Sequence, residues 1–111
     1  MPEESRSARI VLTTVAEAEE AGRLARTLVE ERLIACATMV PGAQSVYRWQ
    51  GEVETAAETL LLMKTTAEQL GLLEARLHAL HSYTTPEFLV LKVDAGSHAY
   101  LGWLQSNLVK V

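Results

Sequence analysis

The chain has 111 residues, with 14 Asp and Glu, 10 Lys and Arg, and a formal net charge of −4. This length suits one domain, and the scattered Lys and Arg argue against nucleic-acid binding, which needs a clustered basic face. The single cysteine, Cys36, excludes an internal disulfide. No apolar run approaches the ~20 residues of a membrane span, and the polar N-terminus does not resemble a signal peptide. We therefore expect a cytoplasmic protein without nucleic-acid or membrane partners.

The first half of the chain predicts a strand followed by a helix. Residues 1–7 are polar and predict a flexible tail, whereas residues 8–111 predict a single domain. The β-branched run 10–12 predicts the first strand. Thr14 and Glu17 have the spacing of a capping box at the start of a helix ending near residue 32. The apolar residues of this helix recur at helical spacing: Ala21, Leu24, Ala25, Leu28 and Val29.

The middle of the chain predicts a bent strand and a hairpin. Residues 33–40 form an apolar run, and Pro41-Gly42 then predicts a bulge. Gly51 marks the hairpin turn, after which residues 59–66 form the end of the returning strand. Because side chains alternate along a strand, three share one face of the outgoing strand: Ser45, Tyr47 and Trp49.

The second half repeats the helix–strand order and adds a final helix. Thr66 and Gln69 predict a second capping box, and the helix that follows runs to about His81. Its apolar stripe has steps of three and four: Leu70, Leu73, Leu77 and Leu80. Residues 86–93 predict a fourth strand, and Ser97 is suited to cap a short terminal helix.

The element order β-α-β-β-α-β predicts an α+β, ferredoxin-like fold with an antiparallel sheet and an extra C-terminal helix. Both long helices should lie on one face. Three runs, residues 10–12, 60–63 and 88–91, are apolar on both faces. Because no remaining segment is large enough to cover the second face, we expect self-association. The alternative is that these runs simply leave leucines exposed.

Histidine and cysteine are the first candidates for metal chemistry. His78 and His81 are three residues apart on a helix and can face the same side. Two ligands without a third are a weak metal signal, and an interaction with the helix dipole is the alternative. Cys36 lies in an apolar strand, where a buried structural thiol is favoured over a reactive thiolate.

Other polar residues are candidates for a pocket. Tyr47 and Trp49 suit either the core or a place that is dry at one end and wet at the other, such as a pocket wall or a subunit seam. Lys64 ends an apolar strand and suits either a site or a side chain extending out of the core. Glu87 suits pairing with Lys64 or a histidine, or simple solvation. The chain contains no recognisable nucleophile set, metal cluster or cofactor motif, so we expect neither an enzyme nor an organic cofactor.

Several runs together resemble the CutA divalent-cation-tolerance family, over residues 10–104. They are "ERLIACATMVPGAQSVYRWQGEVE", "LLLMKTT", "HSYTTPEFLVL" and "YLGWL". The resemblance implies a ferredoxin-like homotrimer that binds divalent metal, chiefly copper, in metal tolerance. It also implies an architecture similar to the trimeric PII signalling proteins. The alternative function is therefore a signalling module that binds a small anionic effector at the cleft between subunits.

By motif match, the resemblance also implies a set of cleft residues. They are Tyr47, Trp49, Lys64, His81, Tyr83 and Glu87. Of these, His81 and Glu87 are the implied ligands for Cu²⁺ or another divalent cation. The chain departs from the family where many members have proline and this chain has Ser82, which predicts a less fixed turn. It also has Thr13 and Leu80 where some members have a cysteine and a histidine, which argues against that copper route.

Overall fold

The structure is a computed structural model that describes residues 7–110, so residues 1–6 of the predicted tail and residue 111 lie outside the described range. A short 3₁₀ turn, Ala67–Gln69, precedes the second helix. The four strands are β1 (Ala8–Val15), β2 (Cys36–Trp49), β3 (Glu52–Thr66) and β4 (Leu89–Lys92). The helices that follow β1 within the described residues are α1 (Ala18–Glu30), α2 (Leu70–Leu80) and α3 (His98–Ser106).

The four strands form one sheet in the order β2-β3-β1-β4, and every neighbouring pair is antiparallel. This arrangement confirms the predicted α+β, ferredoxin-like fold. Three strands are longer than their apolar runs, because ladder hydrogen bonds continue through polar residues. In contrast, β4 is shorter than predicted, and Pro86 and Phe88 lie before its first residue.

The covered face of the sheet packs on α1 and α2. Alternate residues of β1 and β3 point to this side, and Val11, Val15, Leu61 and Met63 are completely buried there. The two helices contribute their apolar stripes to the same cluster: Ala21, Leu24, Ala25, Leu28, Leu73 and Leu77. Burying one such Leu or Val side chain contributes about 1.5–3 kcal/mol, so this layer carries much of the stability.

Of the starts of α1, α2 and α3, that of α3 has the predicted cap. Ser97 accepts a hydrogen bond from the Tyr100 backbone N–H at 3.1 Å, as predicted. The Thr14–Glu17 capping box is wrong, because Thr14 belongs to β1 and Glu17 itself is the N-cap, without a side-chain bond. Thr66 is the N-cap of the 3₁₀ turn, but its hydroxyl bonds the Gln69 side chain and not the backbone, and Gln69 Nε2 donates to the Val109 carbonyl oxygen, so neither bond of the second predicted capping box forms.

The predicted bulge and hairpin are both present. The register between β2 and β3 shifts between Val40 and Ala43, around Pro41-Gly42. Gln50 and Gly51 have φ angles of 50° and 85°, as a two-residue type I′ turn requires. Only the last eight residues of β3, from residue 59, pair with β1. Residues 43–58 therefore form a two-stranded ribbon that extends beyond the rest of the sheet.

On the opposite side of the sheet, the open face, no long helix of the described residues covers the strands. Leu89 and Leu91 are 56% and 48% exposed on this face. The expectation that no segment of the chain covers this face needs one correction. Helix α3 lies over its far end, where the Tyr100 hydroxyl is 3.5 Å from the Cys36 sulfur. Cys36 is accordingly half-buried and not fully buried as expected.

Candidate functional site

A cavity of about 570 Å³ lies between the ribbon and the loop that joins α2 to β4. Four of the six predicted cleft residues line it: Tyr47, Trp49, Tyr83 and Glu87. Lys64 and His81 are not among its lining residues. The cavity therefore unites the aromatic strand with the loop that follows α2, two segments more than thirty residues apart in the chain.

The ribbon supplies one wall of the cavity. Ser45, Tyr47 and Trp49 alternate onto one face of β2, as predicted, and all three line the cavity. Glu54 lies directly opposite Tyr47 in the β2–β3 register and lines the same wall. Sequence reasoning missed Glu54, although a two-residue turn at positions 50–51 determines this register and pairs position 47 with position 54.

The floor of the cavity contains a buried carboxylate that the sequence pattern did not indicate. Glu58 is only 7% exposed, and its Oε2 accepts a hydrogen bond of 2.6 Å from the Tyr83 hydroxyl. Burial, and then the neighbouring Glu58 carboxylate, raise the pKa of Tyr83 far above its ordinary value. The Tyr83 phenol therefore stays protonated and acts as a donor to Glu58.

The loop wall is held to α1 by Ser82. Its backbone N–H and its hydroxyl each donate to one oxygen of the Glu20 carboxylate, at 2.9 Å. A less fixed turn was expected here because many family members have a proline at this position. In this chain two hydrogen bonds to an ionisable acceptor restrain the turn, and such bonds are the stronger kind.

His81 lies behind the cavity wall, with its side chain fully buried. Its Nδ1 accepts a hydrogen bond from the Tyr83 backbone N–H at 3.0 Å, so this nitrogen carries no proton. Its Nε2 then donates to the Thr14 carbonyl oxygen at 2.8 Å. Both ring nitrogens thus have hydrogen-bond partners, the Glu20 carboxylate lies 3.8 Å from Nδ1, and the ring packs 4.8 Å from the Tyr83 ring. His81 positions Tyr83.

The other predicted polar candidates lie elsewhere. Lys64 pairs in register with Cys36 and donates to the Thr38 hydroxyl at 2.8 Å. The suggested pair with Glu87 is not among the ion pairs found within residues 7–110. His78 is exposed, and its Nδ1 is 3.1 Å from the Glu74 carbonyl oxygen on its own helix.

Thr13 points away from the cavity. It is completely buried on the covered face, and its hydroxyl has no hydrogen-bond partner among residues 7–110. Its neighbour Thr14 points to the opposite side and lines the cavity. A side chain at position 13 therefore cannot act together with Tyr83 or Glu87 on one ligand.

The atoms of the cavity lining that could bind a metal ion are carboxylate and hydroxyl oxygens. Three carboxylates, Glu54, Glu58 and Glu87, share its lining with hydroxyl groups, and no Lys, Arg or His of the described residues lines it. Between residues 7 and 110, no three His, Cys, Asp or Glu side chains come close enough together to hold a metal ion. The arrangement can attract positive charge, but one protomer does not form a closed metal site.

The fold and the cavity define a class: a small, ferredoxin-like α+β protein with an acidic, aromatic-lined cavity beside a projecting hairpin. Residues 9–107 match the family described as CutA1 divalent ion tolerance protein, and the chain belongs to that family. This confirms the resemblance inferred from the motifs. The family is named for tolerance and not for a reaction, and the absence of catalysis stays a prediction.

The similarity extends over almost the whole chain. The divalent-cation tolerance protein CutA of Thermus thermophilus is 50% identical over 98 residues, which are 88% of this chain and 95% of that protein. The solved structure of CutA1 from Oryza sativa superposes with a TM-score of 0.94 at 37% identity, and the match covers 98% of this chain and 100% of that one.

A third relative bears on location. Protein CutA of Arabidopsis thaliana, named chloroplastic, is 40% identical over 98 residues, which are 88% of this chain and 54% of that protein. The chain thus spans about half the length of that plant relative. No helix within residues 7–110 has the length and apolar character needed to cross a membrane. The cytoplasmic location stays a prediction.

Proposed function

We propose that the protein binds a divalent cation through the carboxylates of its cavity, as the binding step of a role in divalent-cation tolerance. The observation that supports this most is the charge of the lining. Glu54, Glu58 and Glu87 line one cavity, without a basic side chain among the described lining residues. Three carboxylates that face one space attract a cation and repel an anion.

The donor chemistry favours a hard cation. Carboxylate and hydroxyl oxygens suit Mg²⁺, Mn²⁺ and Ca²⁺, whereas imidazole and thiolate ligands suit copper. The predicted copper ligands His81 and Glu87 remain a separate hypothesis. For His81 to bind copper at Nδ1, it has to give up the hydrogen bond from the Tyr83 N–H. We therefore expect Mn²⁺ or Mg²⁺ to bind through the cavity more readily than Cu²⁺ binds through His81.

The rest of the coordination shell has two sources in this proposal. Mg²⁺-like ions commonly keep several of their waters when one or two carboxylates hold them. A second copy of the chain can supply the remainder, because the proposal includes the self-association predicted from the apolar strands, in the homotrimer that the family resemblance implies. The exposed Leu89 and Leu91 on the open face support self-association.

The alternative, a PII-like module for a small anionic effector, has mixed support. The cavity volume lies within the range of about 300–1,000 Å³ that is typical of small-molecule pockets. The three carboxylates oppose an anion, however, and Lys64 is outside the lining. Cation binding is therefore the better proposal for this cavity.

Calorimetric titration of the wild-type protein with MnCl₂, MgCl₂ and CuCl₂ tests the proposal. Glu54→Gln and Glu87→Gln should each weaken Mn²⁺ binding about tenfold or more, since each removes a charge worth about 1.4 kcal/mol or more near the ion. Glu74→Gln on the exposed surface of α2 is the matched control and should bind as the wild type does. Absence of Mn²⁺ and Mg²⁺ heat would contradict the proposal. Copper heat lost only in His81→Gln would support the original ligand assignment.

A further inference from the structure

The loop that joins α2 to β4 carries much of the cavity lining, yet secondary structure does not hold it in place. It contributes these lining residues: Ser82, Tyr83, Thr84, Thr85 and Glu87. Residues 82–87 belong to neither a helix nor a strand, and the backbone–backbone hydrogen bonds found within residues 7–110 do not involve them. The positions of Tyr83 and Glu87 therefore depend on bonds that side chains make to this loop.

One side chain on α1 makes two of these bonds. Glu20 Oε2 accepts from the Ser82 backbone N–H and Glu20 Oε1 accepts from the Ser82 hydroxyl, both at 2.9 Å, and we call this arrangement the Glu20–Ser82 clamp. The Glu20 side chain is 14% exposed, and its Oε2 is also 3.8 Å from His81 Nδ1. These contacts join two segments of one chain, so they do not depend on which outer surfaces a second copy covers.

The clamp acts on the residue next to Tyr83. The Tyr83 N–H donates to His81 Nδ1 at 3.0 Å, and its hydroxyl donates to Glu58 Oε2 at 2.6 Å. A displacement of Ser82 moves the neighbouring peptide and with it both of these bonds. The clamp therefore fixes Tyr83 against the cavity floor, although Glu20 itself is not among the residues that line the cavity.

The backbone at position 82 also suits a proline. His81 has φ −76° and ψ 142°, the extended conformation that a residue before proline adopts. Positive φ angles of non-glycine described residues occur at Arg32 and Gln50 only, so Ser82 has the negative φ that proline requires. A proline ring would fix this φ covalently but would lack the N–H that donates to Glu20. Serine with Glu20 and proline without it are thus alternative ways to restrain the same turn.

We infer that Glu20 is a positioning residue of the cation site: its carboxylate holds Ser82 and thereby places Tyr83 and Glu87 in the cavity wall. Glu20 acts through Ser82 and does not contact the ligand. The inference rests on the proposed function because it concerns the same cavity, and it adds the first turn of α1 to the parts of the chain on which binding depends. A site whose groups are fixed before binding loses less conformational freedom when the ligand arrives.

Amide hydrogen exchange of the full-length protein, followed residue by residue by NMR, tests the clamp without any metal. Glu20→Ala should speed exchange of the Tyr83 N–H at least about tenfold relative to the Met63 N–H, which lies in β3 and reports global opening. Glu19→Ala is the matched control, since it removes the same charge from the same first turn of α1, and it should exchange as the wild type does.

A second substitution tests the equivalence with proline. Adding Ser82→Pro to Glu20→Ala should return the Tyr83 exchange rate to near that of the wild type, because the ring replaces the clamp. Loss of charge alone cannot be reversed in this way. Equal Tyr83 rates in Glu20→Ala and Glu19→Ala would overturn the inference, and so would a rate that stays high in the double variant.

Calorimetric titration with MnCl₂ connects the clamp with the site. Glu20→Ala should weaken Mn²⁺ binding about tenfold, Glu19→Ala should not, and Ser82→Pro in the Glu20→Ala background should restore the affinity. If the wild type binds Mn²⁺ and Glu20→Ala binds it equally well, the positioning role is overturned even when exchange is faster. If the wild type does not bind Mn²⁺, the proposed function is overturned, and the exchange rates alone decide whether Glu20 positions the cavity wall.

Discussion

The two faces of the sheet differ in how far helices of the same chain cover them. On the covered face, α1 and α2 of the same chain bury Val11, Leu61 and Met63 completely. On the open face, equally apolar residues such as Leu89 and Leu91 stay about half-exposed, and α3 covers only one end. The difference shows that this chain completes one of its two apolar layers by itself. The second layer and the cavity beside it are where a partner or a ligand is expected to act.

The largest expected effect comes from the covered face. Leu77→Ala should lower the free energy of unfolding by about 2–5 kcal/mol, because Leu77 is completely buried and the side chain leaves a cavity. Leu72→Ala, on the same helix but 52% exposed, is the control and should cost well under half as much. Urea denaturation measures both. Equal losses would mean that the outer surface of α2 is also covered.

The next effect concerns the open face. Leu91→Glu should weaken self-association at least about tenfold, or about 1.4 kcal/mol, because it places a charge in an apolar contact. Sedimentation velocity over a concentration series measures this, and Leu72→Glu is the matched control. A wild-type protein that sediments as a monomer at all concentrations would contradict the proposed trimer, and so would a Leu91→Glu variant that associates as the wild type does.

A smaller effect compares two threonines on the covered face. Both Thr13 and Thr65 are completely buried, but within the described part of the chain only Thr65 has a partner, the Leu33 carbonyl oxygen at 2.7 Å. Thr65→Val should cost about 1–2 kcal/mol, since it leaves that acceptor without its donor. Thr13→Val should be neutral or stabilise by up to about 1 kcal/mol, since it removes an unsatisfied hydroxyl. Thermal denaturation of the two variants measures the contrast, and a destabilised Thr13→Val would reveal a partner for that hydroxyl.

The smallest effect lies on the exposed surface of the helix layer. A hydrogen-bonded ion pair with Arg76, at 2.8 Å, lowers the pKa of Glu31 below its ordinary value of 4.5. The folded state therefore binds this proton less readily than the unfolded chain does. The stabilisation is present above pH 4.5 and is lost as the pH falls below it. Urea denaturation from about pH 6 to about pH 3 measures this effect. The free energy of unfolding should fall slightly less steeply with falling pH in Glu31→Gln than in the wild type, and Glu30→Gln is the control.

Parts of the site could be predicted from local pattern alone. Alternation along β2 put Tyr47 and Trp49 on one face, and the family motif added Tyr83 and Glu87. Glu58 could not be found in this way, because its partner Tyr83 is 25 positions away and reaches it only through the packing of the loop on the ribbon. The same packing turned His81 inward and left Lys64 at the other end of β3.

The sequence by itself determined the order of elements, the helix-covered core, the hairpin turn and the family, because these depend on periodicity, turn chemistry and short motifs. Only the tertiary structure decided which polar residues share a cavity and which are used up in internal hydrogen bonds. The physical reason is that a side chain's partners depend on where distant segments are packed. His81 and Glu58 both belong to polar stretches. In the folded protein both ring nitrogens of His81 have hydrogen-bond partners, whereas only one carboxylate oxygen of Glu58 has a partner among the described residues.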